Sequence, residues 1–425
     1  MLEFLFDHWL ILIPVTVALV LAWIVAVLSK YVRLMLNIFR DTAPPLMGAA
    51  ENGPIVGHPI TFRAFDGTKL SGRFLSRSAY RRSDAATRMD LSVRSKIKAD
   101  YLAEDTRGVI IFCHEYGYDQ HSCLKYCRGL VEQGFDVFTF DFRSHGGSDS
   151  LKGYQPRLWS TDKEVSDCLG ALLFVRAELE ARNLPLNVGF FGISRGAGAA
   201  ILAAAQGRFI LPVKAVLADG AFSTDTTLEW YMKKWVHIFA RVRFVYERHR
   251  PGFWHFLRWL LLIFAGRRFK CRFPSVCQTV HWFGKIPIFF IHGAKDSYIK
   301  PDHTRMLFEA AHPPRYLWIV PEARHNQSVS TEPELYAERM IGFFAHFLTD
   351  PSTVARKAPG ENNAITSPFN LSNDLIFIDK VKPQKESPDA LTHDRIPGGA
   401  TCPAPAQTVP EEVGSMSGCS ATPAA

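Results

Sequence analysis

The sequence predicts an α/β architecture, a mostly parallel central sheet with helices on both faces. Short, continuously apolar runs alternate with longer stretches of helical periodicity, the pattern of strands buried on both faces and joined by crossover helices. His114, Asp141, Ser194, Asp219 and Asp296 all follow the ends of such runs, where functional groups gather in parallel sheets. A single long apolar stretch lies ahead of this pattern and predicts one transmembrane helix.

Composition bounds the reading. The 425 residues are 47% hydrophobic and 21% charged, which excludes a wholly disordered chain, a collagen-like chain and a coiled-coil rod. With one spanning candidate, a polytopic membrane protein is excluded too. Lys and Arg number 49 against 41 Asp and Glu, a net charge of +8, so the meaning of the excess depends on where it sits. The eight cysteines include no C-x-x-C pair and no zinc-finger spacing, and several fall inside apolar runs, where a thiol acts as a small core residue. They read as reduced, which favours a cytosol-facing domain.

Taken in order, Trp9 to Leu28 is apolar apart from Pro14 and Thr16. A helix of ~20 residues spans ~30 Å, a bilayer core. Glu3 and Asp7 precede it, whereas a cleaved signal begins basic. Lys30, Arg33 and Arg40 follow it, so the positive-inside rule places the rest of the chain in the cytoplasm. Residues 1–40 thus form the anchor and juxtamembrane segment. Residues 41–58, rich in Pro, Gly and Ala, read as a linker.

Residues 59–348 read as the folded domain. Asp66-Gly67 between the alternating runs 60–65 and 68–74 predicts a hairpin. Residues 76–107 are polar and basic and predict a long loop. Six buried strands are then expected at 108–113, 135–140, 188–191, 214–218, 286–291 and 316–320. Helical patterns fall at 123–133, 163–181, 197–206, 303–311 and 333–348. The alternation is interrupted at about 222–285 by an aromatic, basic, helix-prone insert. Between Tyr231 and Arg272 its eleven cations meet only Glu247. Its run from Phe253 to Ala265 contains Arg258 and is too short to span easily, so it predicts an interfacial or buried cap helix. Residues 349–425, rich in Pro, Ser, Thr and Ala, predict a disordered tail.

The chemistry centres on Gly192-Ile-Ser194-Arg195-Gly196, between a strand and an Ala/Gly-rich helix. A serine on a sharp strand-to-helix turn projects its hydroxyl outward, and Gly192 and Gly196 remove side chains that would collide there. A serine hydroxyl needs a base, and that base needs an orienting carboxylate. In chain order Ser, acid, His, the candidates are Asp296 and His325, with Asp219 as the alternative acid. Asp141 is better explained by turn formation. The oxyanion would be held by the backbone N–H of Arg195 and by one from His114-Glu-Tyr-Gly117, with Tyr116 favoured. Glu115 stands where glycine is more usual. No metal or organic cofactor is implied.

Together, His114-Glu-Tyr-Gly117, Phe140-Asp-Phe-Arg-Ser-His-Gly-Gly-Ser148, Gly192-Ile-Ser-Arg-Gly196, His292-Gly-Ala-Lys-Asp296 and Arg324-His325-Asn make residues 59–348 resemble the α/β-hydrolase superfamily. The likeness is greatest to its lipase/esterase and prolyl-aminopeptidase-like serine hydrolases. The resemblance implies an inserted cap, matching 222–285, and hydrolysis through an acyl-enzyme. The expectation is a single-pass membrane serine hydrolase of esters or thioesters, acyl lipids among its candidate substrates. Its basic cap would lie against anionic headgroups. Alternatives are a peptidase or amidase of the same fold, disfavoured by a cap poor in acids, and a non-catalytic scaffold. No nucleic-acid fold signature accompanies the charge, and oligomeric state is not legible.

Overall fold

The computed structural model describes residues 9–36, 57, 59–76, 102–103, 105–239, 250–349 and 376–377. The expected linker, most of the 76–107 loop, residues 240–249 of the insert and nearly all of the tail lie outside the described residues.

The chain opens with α1 (Trp9–Met35), which contains Pro14. Its segment Ile13–Lys30 is long and apolar enough to cross a membrane, and none of it is buried. Strands β1 (Pro59–Arg63) and β2 (Lys69–Leu75) form the expected hairpin. Its loop differs in detail. The Ala64 N–H donates to Thr68 O at 2.8 Å, so Phe65, Asp66 and Gly67 make a three-residue turn with Gly67 at φ +90°, the left-handed position such loops reserve for glycine. Phe65 leaves the alternation and is exposed.

The remaining strands are β3 (Val109–Cys113), β4 (Asp136–Phe140), β5 (Val188–Ile193), β6 (Ala215–Asp219), β7 (Ile288–Gly293), β8 (Arg315–Val320) and the two-residue β9 (Ile376–Phe377). The sheet order is β1-β2-β4-β3-β5-β6-β7-β8-β9. Among the described strands only β1–β2 and β2–β4 pair antiparallel, and the other neighbours are parallel. This mixed sheet has the α/β-hydrolase fold.

The two-residue side-chain period of the strands divides the core. Val109, Ile111, Phe190, Val216 and Phe290 face one layer, made by α3 (Asp162–Ala181), α4 (Arg195–Gln206), α7 (Val276–His281) and α8 (Pro301–Ala310). Ile110, Phe112, Phe191, Leu217 and Phe289 face the other, made by α2 (Cys123–Glu132) and α10 (Pro333–Leu348). A third cluster belongs to the insert. In it α5 (Thr224–Phe239) and α6 (Pro251–Phe269) bury Leu228, Met232, Trp254, Leu257, Leu261 and Ala265 with Phe222, Trp159 and Ile299. Helix α7 lies within the insert by sequence, yet its Val276, Cys277 and Val280 join the main core. The turn α9 (Ser328–Thr331) precedes α10. Cys113, Cys123, Cys127, Cys168 and Cys271 are free and buried, whereas Cys277 is disulfide-bonded, departing from the expectation of reduced thiols throughout.

Candidate active site

Ser194 sits between β5 and α4 with φ +52° and ψ −116°, strained backbone for an L-residue. Close packing on both sides enforces it. A Cβ at Gly192 would lie 2.5 Å from Ala197 Cα, and one at Gly196 would collide with the Cys113 carbonyl. The helix therefore starts hard against β3, and the Ser194 N–H donates to Asp219 O at 2.7 Å. This turn fixes where the hydroxyl points.

The structure brings three of the candidate residues together from three loops. Ser194 Oγ lies 3.0 Å from His325 Nε2, and His325 Nδ1 lies 2.6 Å from Asp296 Oδ2. A carboxylate only accepts, so Nδ1–H donates to Asp296 and Nε2 is left to accept from the serine hydroxyl. The Asp296 Oδ1 accepts the N–H groups of Tyr298 and Ile299, each at 2.9 Å. Burial pushes the Asp296 carboxyl up, but hydrogen bonds and charge from His292 and His325 outweigh it and hold it below the usual carboxylate range. Asp296 and Ser194 are buried, and His325 keeps part of its ring at the surface.

The alternative acid points elsewhere. Asp219 accepts from Tyr336 Oη at 2.9 Å and Ser328 Oγ at 3.4 Å, and burial raises its carboxyl to about 6. Asp141 accepts from the Gln120 and Gly147 N–H groups, holding the turn after β4.

For the oxyanion, the Arg195 N–H heads α4 and has no acceptor within the helix. The facing loop, His114 to Gly117, is fixed by its own hydrogen bonds. His114 Nδ1–H donates to Glu115 O at 2.7 Å, and its Nε2 accepts the Phe142 N–H at 3.0 Å. The unusual Glu115 side chain is buried and bonded to Ser122 Oγ (3.0 Å) and Tyr126 Oη (3.4 Å). Burial raises its carboxyl above the ordinary value. Glu115 thus ties this loop to the start of α2, and Gly117 makes the left-handed turn at φ +83°.

Sequence reasoning gave no role to His292. It is buried at the penultimate residue of β7, with Nε2 3.2 Å from Asp296 Oδ2 and 2.9 Å from Ile299 O. Its Nδ1 is 2.7 Å from Thr304 Oγ1, whose proton goes to Ala221 O at 2.6 Å. The signal was its place four residues before Asp296 in the quoted His292–Asp296 motif. The Arg195 side chain was missed as well. It is wholly buried, 3.7 Å from Glu164 Oε1 and over the rings of Tyr116 and Phe142, and it underpins the serine turn from within. Among the described residues, no group of three or more His, Cys, Asp or Glu side chains is placed to hold a metal ion.

This arrangement can pass a proton from a hydroxyl to an imidazole whose cation is met by a carboxylate. Residues 104–248 match the family model described as serine aminopeptidase, S33. The uncharacterized protein YfhR of Escherichia coli O157:H7 is 24% identical over 312 residues, 73% of this chain and 87% of that protein. The uncharacterized protein YqkD of Bacillus subtilis is 24% identical over 253 residues, 58% of this chain and 74% of that one. Among solved structures, an esterase of Pyrococcus furiosus is similar at 18% identity and a TM-score of 0.48, covering 73% of this chain and 98% of its own.

Proposed function

We propose that the chain is an α/β-hydrolase, a membrane-anchored serine hydrolase that cleaves carboxylic esters or thioesters, with acyl lipids as candidate substrates; its sheet order and the family match over residues 104–248 support this. The observation that carries this reading is the unbroken hydrogen-bonded line from Ser194 through His325 to Asp296. Ser194 Oγ attacks the carbonyl carbon while His325 Nε2 takes its proton. The carbonyl electrons move to oxygen, which the Arg195 and Tyr116 N–H groups hold. As those electrons return, the bond from the carbonyl carbon to the leaving group breaks and His325 gives the leaving group its proton; water then attacks the acyl-enzyme in the same way and releases Ser194. Asp296 keeps His325 in the required tautomer and stabilises its cation. The span Ile13–Lys30 anchors the chain, with the catalytic domain on the cytoplasmic side by its flanking cations.

The aminopeptidase family model gives a second reading some support. A free-amine peptide needs an unspent acid at the site. In the described cap Glu229 is already taken by Lys233 (2.7 Å) and Arg258 (2.8 Å), and Asp225 is buried and accepts from the hydroxyls of Ser223 and Ser275, which favours the ester reading.

Fluorophosphonate labelling of the detergent-solubilised chain tests the chemistry. Wild type should label and Ser194→Ala should not, and an unlabelled wild type would return the scaffold alternative. A p-nitrophenyl ester series of rising chain length, run beside aminoacyl anilides, then separates esterase from peptidase. Preference for the anilides would reverse the choice between them.

A further inference from the structure

We propose that the outward face of α6 is a membrane-docking surface, with Phe256, Trp259 and Ile263 set into the interfacial zone of the bilayer that α1 crosses. This rests on the anchor reading above and deepens it.

The first observation is the helix itself. It packs onto the domain through Trp254, Leu257, Leu261 and Ala265. The opposite face should then be polar. Instead it carries Phe256 (47% exposed) and Trp259 (56% exposed), stacked at 6.0 Å between ring centroids, with the half-buried Ile263 one turn on. Phe264 (46% exposed) widens the stripe. A contiguous apolar stripe signifies a surface that another phase or partner covers.

The second observation fixes where that stripe lies. Val32 and Met35 of α1 are buried in the same cluster as Leu257 and Leu261. The spanning segment ends at Lys30, so those contacts sit only ~3 Å and ~8 Å further along the helix axis. Anything packed against them lies at headgroup depth, where tryptophan is favoured.

Charge agrees. Glu229 occupies Lys233 and Arg258, so these two cations of the cap are spent on the fold. Arg267, Arg268 and Lys270 remain exposed where α6 ends, placed for lipid phosphates. The same cluster includes Ile299, whose N–H bonds Asp296, and Tyr231 Oη donates to Tyr298 O at 2.6 Å. One packed unit therefore joins the bilayer face to the loop that carries the acid of the site.

The test uses the full chain in phosphatidylcholine vesicles. Tryptophan emission is compared in lipids brominated near the headgroup and in unbrominated lipids, and Trp259 is isolated as wild type minus Trp259→Phe. The proposal expects that difference signal to be lost in the brominated vesicles. Trp23, isolated with Trp23→Phe against lipids brominated near the bilayer centre, reports the anchor separately. Quenching of Trp23 with an unquenched Trp259 overturns the docking surface, the outcome expected if the stripe is covered by a protein. No quenching of either overturns the anchor and the docking surface together. Neither readout depends on hydrolysis, so failure of the enzyme reading is scored independently.

Discussion

The rim of the sheet and the cap are built by different means. At the rim, Asp296 and His292 are buried with several hydrogen bonds each, and Ser194 is held at a strained backbone angle. In the cap, α5 and α6 are held mainly by one apolar cluster, and they leave aromatic rings exposed. Directional bonds fix atoms to fractions of an ångström, as proton transfer requires. Apolar packing is less directional and tolerates adjustment. On the proposed reading, the rim would carry the chemistry and the cap would meet the substrate's phase.

On the proposed mechanism the most severe break is at Ser194. Ser194→Ala should lower kcat on a short soluble ester by on the order of 10⁴-fold or more, with the circular dichroism spectrum unchanged. Asp296→Asn should cost about 10⁴-fold by favouring the wrong tautomer of His325. It also carries a pH signature. The folded Asp296 carboxyl lies below its ordinary value, so its stabilising contribution is complete above about pH 4, where the unfolded side chain is ionised. That contribution is lost as the pH falls through the folded value. Thermal unfolding should therefore show the gap between wild type and Asp296→Asn narrowing on acidification.

Smaller changes probe the supports. Glu115→Ala should cut kcat by about tenfold with KM little changed, because it frees the loop that presents the Tyr116 N–H without removing the donor itself. Asp219→Asn should spare more activity and change the pH dependence of stability. Burial raises Asp219 to about 6, so the wild-type fold is penalised as pH rises from about 4 to about 6, by roughly 3 kcal/mol at the top. Unfolding at pH 4 and pH 7 should show the variant gaining on wild type by about that amount. At the gentle end, Leu261→Ala in the cap should cost about 2–5 kcal/mol of packing yet leave kcat on a short ester within about twofold. A large loss there would erase the distinction between the two regions.

The strands were legible because residues buried on both faces leave a continuous apolar signature, as in Val109–Cys113 and Ile288–Gly293. The serine turn was legible because its glycines answer to local collisions. The choice between Asp296 and Asp219 was not, since both follow strands and only the paths of the later loops decide which meets His325. Glu115 stands out in the sequence only as a departure from glycine, because its partners lie seven and eleven residues further on. The cations of the insert looked opposed by Glu247 alone, because Glu229 lies one helical turn upstream of the first of them. Periodicity could not say which face of α6 packs, since that helix is apolar nearly all round.

The most direct test is to mix the full chain with a p-nitrophenyl acyl ester, quench in acid within the first turnovers, and map the peptides by mass. The account predicts one added acyl group on the peptide carrying Ser194, absent in Ser194→Ala. Continued ester hydrolysis by Ser194→Ala at the wild-type rate, or an acyl group carried on any other residue, would contradict it.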